Sequence, residues 1–290
     1  MERILILLKS HYHFVSLSDL EDFYYHGTDL RNACHITVDD GDISVYTHLF
    51  PIIKKYQIPI SIYVSPLCVR EGKNFWFQEI SGYDFQKFFE YYSKIYDHSM
   101  QYEGKHQLYA VLKHLPIEEL IKLIDSFRLS QGIKPKPRMG INLEQLLELK
   151  ASGLVEIGAH TYNHPILANE DNSTVIYEIS SCILELEEMI GEKVKWFAYP
   201  NGIPSLDFSK REMEILRESG VKLAFSTENK RFSKSDDPLS VPRTGISKGN
   251  IPFIFAKLFF GSRWDILKGL FNSNKESEFR KKMVSLQKSN

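Results

Sequence analysis

Residues 35–64 read HITVDDGDISVYTHLFPIIKKYQIPISIYV, and this stretch holds a strand, a turn, a helix and a second strand in succession. His35 to Val38 is a β-type run that ends in Asp39-Asp40-Gly41, residues that favour a turn. From Val45 to Tyr56 the apolar residues Val45, Leu49, Ile52, Ile53 and Tyr56 recur at helical spacing. Pro51 must then lie in a first turn or kink the helix. Ile58 to Val64 is again rich in β-branched residues. Two strands joined through a helix imply a right-handed crossover and parallel pairing.

The same rhythm continues downstream. Asn142 and Gln145 form a capping box for the helix LEQLLELK, with Gly153 just past its end. Leu154 to Ile157 is the next strand. Val175, Ile176, Ile179, Cys182, Ile183, Leu186 and Ile190 mark one face of a long helix stopped at Gly191. Val194 to Tyr199 is a strand, Ser209 with Glu212 caps a helix that ends before Gly220, and Val221 to Phe225 is another strand. The fold class is α/β with a largely parallel sheet, open or closed into a barrel. Residues 66–138 break the rhythm with helical stretches near Tyr83–Tyr96 and Ile117–Leu129, and read as a helical insertion in one domain spanning 1–250. Residues 251–290 form a helical, basic extension.

The 290 residues carry 36 Lys and Arg against 37 Asp and Glu, a balance that argues against nucleic acid as the partner. A chain this long buries a sufficient core without structural metal, so a metal site here has chemistry to explain it. Cys34, Cys68 and Cys182 make no paired framework and point to a reducing compartment. The apolar run Ile4–Leu8 is too short for a signal-peptide core, and Ile251–Phe260 contains Pro252 and Lys257, so no segment spans a membrane. The reading is a cytoplasmic protein. The mix of aromatic and basic residues from Phe253 to Met283 suits a helix packed on the domain, or one lying on a membrane surface.

Two clusters carry chemistry. Asp39 and Asp40 follow a strand, at the carboxyl end where parallel sheets and barrels place their sites. Neighbouring side chains of a strand point oppositely, so the chain must turn for both acids to share a site, and Gly41 permits that turn. In EIGAHTYNHP, His160 and His164 follow another strand, and Pro165 favours a compact loop over a helix face. Each cluster alone is consistent with an ordinary turn or loop. Together, two imidazoles and one carboxylate make a three-ligand site that leaves a metal an open position for water, and a second carboxylate is free to take a proton.

With these residues the chain resembles the polysaccharide deacetylase family, the NodB-homology carbohydrate esterases. ITVDDGD (36–42) matches the family's TFDDG motif with Val38 in place of Phe, AHTYNHP matches H[ST]xxH, and FAYPNG (197–202) resembles the third motif. The likeness runs from about residue 14 to 250 and implies a distorted (β/α)7 barrel that hydrolyses the N-acetyl group of an amino sugar in a glycan or its precursor. It implies Asp39 as general base, Asp40, His160 and His164 as ligands of Zn²⁺ or another divalent transition metal, and Tyr199 and Asn201 at the substrate, with the Asn201 N–H as oxyanion donor.

The chain departs from the family at two points. Ala198 stands at or beside the position of a motif arginine that orients the base, and no histidine follows His164 to act as general acid. The acid is unassigned, with His11, His13, His26 and His35 as candidates that match no motif. Arg243 either replaces the missing arginine or forms a surface salt bridge. Phe75-Trp76-Phe77 offers aromatic faces for a sugar groove, although most aromatics pack cores. Two other functions fit the same residues: a non-catalytic carbohydrate-binding relative, and an amidohydrolase of a non-sugar N-acyl amide.

Overall fold

The structure is a computed structural model and describes residues 1–97, 101–246, 252–254, 256, 276 and 278–280. These fall into two compact units, one drawn from Met1–Lys73 and Arg138–Ser262, the other from Asn74–Pro137 and Arg263–Asn290. Apart from those few positions, the predicted extension 251–290, with the membrane-surface reading of Phe253–Met283, lies outside the described residues.

The first unit is built on seven short strands: β1 (His13–Phe14), β2 (Ala33–Cys34), β3 (Ile36–Val38), β4 (Ile60–Val64), β5 (Val155–Ala159), β6 (Trp196–Ala198) and β7 (Leu223–Phe225). Strands β3 to β7 form one parallel sheet in chain order. On one side β1 pairs in parallel with β2, which runs on into β3. On the other side Val241 bridges in parallel to Phe225. The curled sheet with helices outside it is a distorted (β/α)7 barrel.

Strand alternation sorts the side chains into two layers. Ile60, Ile62, Val64, Val155, Ile157, Ala159, Phe197 and Ala224 face the surrounding helices in the main core. Tyr63, Trp196, Ala198, Leu223 and Phe225 face the barrel interior, with Leu17 and Leu20 of the helix Leu17–Tyr25 among them. That helix carries a capping box from Ser16 and Asp19, and its Leu17 N–H donates to Glu156 Oε2 at 2.6 Å. A side chain at Gly158 would put its Cβ 2.5 Å from the Tyr63 ring, so only glycine leaves room for that buried tyrosine.

The caps predicted at Asn142 and Ser209 are present, heading Leu143–Ala151 and Lys210–Glu218. Two predicted helices contain a wider π turn. Val45–Leu49 is such a turn and hands over to Phe50–Tyr56, so the wider turn lies directly before Pro51, which lacks the N–H for a regular helical bond. The helix predicted on the face of Val175 to Ile190 is Asn172–Ile176, a π turn Tyr177–Ser181 and Cys182–Ile190, ending at Gly191 with φ +69°.

The second unit is helical, with Trp76–Glu79, Phe85–Ile95, Lys105–Leu112 and Ile117–Ser130. Its own core joins Phe88, Phe89, Tyr92, Leu108, Leu112, Leu123 and Phe127. Trp76 is buried in that core against Phe77 and Tyr109, which corrects the expectation that it lines a groove. The Asn74 amide donates to the Pro137 carbonyl at 3.0 Å and to Glu79 at 2.8 Å, fastening the two ends of this segment.

Candidate active site

At the carboxyl end of β3 the chain turns as the paired acids require. The turn starts at Asp40 itself: Asp40 has φ +69° and Gly41 φ +60°, two successive left-handed residues. Gly41 is needed twice over, because a Cβ there would also stand 2.8 Å from Val64. The result places Asp39 and Asp40 on the same side, each with a partly exposed carboxylate.

The second strand end supplies the imidazoles. His160 follows β5, and its N–H bonds to the Val64 carbonyl in sheet register. Its Nδ1 donates to the Ala198 carbonyl at 2.7 Å, which turns Nε2 toward the mouth. Thr161 (φ +62°) and His164 (φ +60°) bend the loop back, each in a conformation that costs a non-glycine residue about 1–3 kcal/mol. Thr161 Oγ1 links the bend, donating to the His160 carbonyl at 2.5 Å and accepting from the His164 N–H at 3.1 Å.

His160 Nε2 and His164 Nε2 lie 3.4 and 3.5 Å from Asp40 Oδ1. The three ligand atoms all sit within 4.8 Å of one another, the one such group among the described residues. A tetrahedral ion with ligand distances of about 2.0–2.2 Å requires ligand edges of about 3.3–3.6 Å, so the donor set fits a small divalent metal. Burial pushes His164 down to about 4 against the pull of Asp40, which keeps it neutral, the form that ligates metal. Burial acts in the same sense on His160, but Asp40 and Asp39 outweigh it and raise its pKa.

Arg243, two residues past Val241, closes the other side of the site. Its side chain is 13% exposed, so the ion pair is an internal one. Nη1 and Nη2 donate to the two oxygens of Asp39 at 2.8 and 2.9 Å, Nη1 also to Thr37 Oγ1 at 3.0 Å, and Nε to the Ser226 carbonyl at 2.9 Å. The guanidinium lies 5.9 and 5.8 Å from the Tyr63 and Phe225 ring centres. Burial alone would raise the Asp39 pKa; the Arg243 charge, helped by the two imidazoles, overrides it and holds the carboxyl below its usual value.

The third motif splits. Asn201 has φ +57°, and its N–H donates to no acceptor among the described residues. Its carbonyl accepts from Thr227 Oγ1 at 2.6 Å, and the Gly202 carbonyl accepts from the Thr227 N–H at 2.7 Å. Tyr199 is different, and the structure corrects its expected place at the substrate. Its ring is buried against Phe208 and its hydroxyl donates to the Leu239 carbonyl at 2.9 Å. The reason is strand parity: Phe197 and Tyr199 face the helices, and Ala198 faces inward.

Of the early histidines, His11, His13 and His26 are exposed, and His26 pairs with Asp22. His35 points into the barrel, bonded to the Val15 carbonyl and to Ser61 Oγ at 2.7 and 2.8 Å, and burial pushes it down to about 4. Sequence reasoning did not single out Thr37, Thr227 or Glu178. Thr37 shares strand parity with Asp39; the other two carry no local signal.

Comparison with known proteins agrees with this geometry. The profile of the family described as Polysaccharide deacetylase matches residues 26–224. The chain belongs to the polysaccharide deacetylase family. Membership makes it a carbohydrate N-deacetylase, a hydrolase of a family that depends on a bound metal. It is similar to the poly-beta-1,6-N-acetyl-D-glucosamine N-deacetylase of Staphylococcus aureus, 21% identical over 267 residues that cover 89% of this chain and 68% of the relative. Among solved structures it resembles the Streptococcus pyogenes deacetylase PplD in complex with acetate (TM-score 0.59, 16% identity, 88% of this chain and 83% of that one). It also resembles IcaB from Ammonifex degensii (TM-score 0.56, 23% identity, 88% and 86%). At these identities the two structures show the shared fold. Among the described residues no helix is long and apolar enough to cross a membrane.

Proposed function

We propose that this polysaccharide deacetylase removes acetyl groups from N-acetylglucosamine-type residues of a glycan, with Asp39 as general base and Asp40, His160 and His164 holding Zn²⁺. The observation that carries the reading is the meeting, from three distant segments, of a three-ligand cluster and a carboxylate forked by Arg243. When bound, the ion supplies Lewis acidity toward the acetyl carbonyl and toward a water. Asp39, kept ionised by Arg243, takes the proton from the attacking water. The carbonyl oxygen, as it gains charge, accepts a hydrogen bond from the Asn201 N–H. Asp39 then returns its proton to the departing nitrogen as the C–N bond breaks, giving the amine and acetic acid, whose remaining proton passes to solvent or to the amine to leave acetate. One carboxyl thus serves as base and acid, which assigns no part to the early histidines. Arg243 orients Asp39 throughout and takes the place of the motif arginine.

The similarity to the staphylococcal enzyme supports a glucosamine glycan as substrate. The unpaired thiols of Cys34, Cys68 and Cys182 favour a reducing compartment, and with it a cytoplasmic glycan precursor over finished polymer. The test is acetate release from N-acetylglucosamine oligomers and nucleotide-linked N-acetyl sugars, with zinc quantified in wild type and Asp39→Asn. Equal zinc in both, with acetate release reduced about 10²–10⁴-fold in the variant, is expected. Zinc in neither protein would sink the ligand set; equal turnover by both would sink Asp39 as the base.

A further inference from the structure

We propose that Glu178 is the positioning residue of the metal site, a buried carboxylate that holds the loop between His160 and His164 in its ligating shape. The inference rests on the reading of Asp40, His160 and His164 as metal ligands. Three donors of that loop converge on this one side chain. The N–H groups of Tyr162 and Asn163 donate to Oε2 at 2.9 and 2.7 Å, and the Asn163 side-chain amide donates to Oε1 at 2.7 Å. On the opposite edge the Tyr162 carbonyl accepts from Ser65 Oγ at 2.5 Å. Tyr162 is therefore pinned from both sides and Asn163 from one, and the flanking Thr161 and His164 are kept in left-handed conformations they would otherwise leave.

Packing alone does not explain an acid here. Glu178 is 1% exposed and forms no ion pair among the described residues. Burying a carboxylate without a cation opposes folding, and an apolar side chain would fill the same volume without that cost. What a carboxylate adds is three strong, directional bonds to a loop whose two ends carry metal ligands. The local backbone serves the same end. Glu178 lies in the π turn Tyr177–Ser181, a one-turn widening that interrupts the helix beside this loop and recurs at functional sites in other proteins.

The test compares wild type with Glu178→Leu, Glu178→Gln and Asn163→Ala, measuring the zinc dissociation constant by chelator competition, metal-free thermal stability, and the visible spectrum of the Co²⁺-loaded proteins. Glu178→Leu should weaken zinc binding about 10–100-fold and change the Co²⁺ spectrum at saturating metal. Glu178→Gln should recover most of the loss, because its carbonyl oxygen still accepts from both backbone N–H groups and the Asn163 amide can rotate to meet its NH₂. A folded Glu178→Leu protein with wild-type affinity and spectrum would overturn the proposal, since a purely structural role predicts lowered stability alone. Should that variant fail to fold, Asn163→Ala decides: a loss of roughly threefold or more is expected, and none would overturn it. Wild type that binds no zinc would overturn the metal reading itself, and this inference with it.

Discussion

Arg243 holds Asp39 through both carboxylate oxygens, and the sign of its effect can be worked out. Burial raises the Asp39 pKa and the guanidinium lowers it, with the lowering dominant. In Arg243→Met the largest lowering influence is gone and only the two imidazoles still oppose burial, so the base protonates at higher pH. The acidic limb of the kcat/KM profile should move upward in pH, and kcat should fall on the order of 10²-fold because the carboxylate also loses its aim. A profile with an unmoved limb would show that Arg243 does not set the base. The residues that sequence made legible here are those with local signals: an acid pair before a glycine, and two histidines before a proline. Arg243 lies 204 positions from Asp39 in the chain, so its charge was visible while its partner was not. Tyr199 was misplaced because motif letters do not say which face of a three-residue strand a side chain takes.

At the level of elements, hydrophobic period found every strand of the main sheet but drew most of them too long. The sequence runs include flanking residues whose burial comes from packing beyond the ladder, as with Val194 and Val221, both buried outside their strands. Neither π turn was legible, since a one-residue widening leaves the apolar pattern nearly intact. Lys105–Leu112 escaped because it is buried from Gln107 on except at half-buried Tyr109, which leaves too little polar face for periodicity to detect. Two elements carry predictions. Gly158→Ala should destabilise the protein by about 1–3 kcal/mol in urea unfolding, because neither the Tyr63 ring nor the Trp196 carbonyl 2.9 Å away can retreat. A neutral substitution would mean that Tyr63 repacks. The helix Leu17–Tyr25 depends on Glu156, whose pKa burial raises, with the Leu17 and Ser18 N–H groups opposing it. The native state therefore keeps the Glu156 proton to higher pH than the unfolded chain does, and this group costs stability as pH rises from below 4.5 through that interval. Glu156→Gln still accepts from the helix and does not titrate, so its stability relative to wild type should improve with rising pH. A difference independent of pH would refute the assignment.

On the scale of the whole molecule, the sequence separated the regular α/β rhythm from the helical stretch, and the structure gives each its own apolar cluster. One cluster packs sheet against helices around Ile62, Ile157 and Phe197; the other is aromatic, centred on Phe88, Phe89 and Phe127. That the helical stretch has a closed core of its own was not legible, because its core depends on which aromatics meet, as in the Phe88–Phe127 ring pair at 4.6 Å. Every residue assigned to the metal and to Asp39 belongs to the first unit. A ligand stabilises only the cooperative unit that binds it, by about 2.7 kcal/mol at a free concentration 100 times its dissociation constant. Zinc should therefore raise the unfolding temperature of the barrel unit and leave that of the 74–137 unit in place, so that calorimetry of the full chain resolves two transitions that separate further as metal is added. Hydrogen exchange gives the same reading by residue: amides of β4 and β5 should slow with zinc while those of Phe85–Ile95 and Ile117–Ser130 keep their rates. A single transition that moves as a whole would mean that the two cores unfold together, and that metal binding at one strand end is felt through the entire chain.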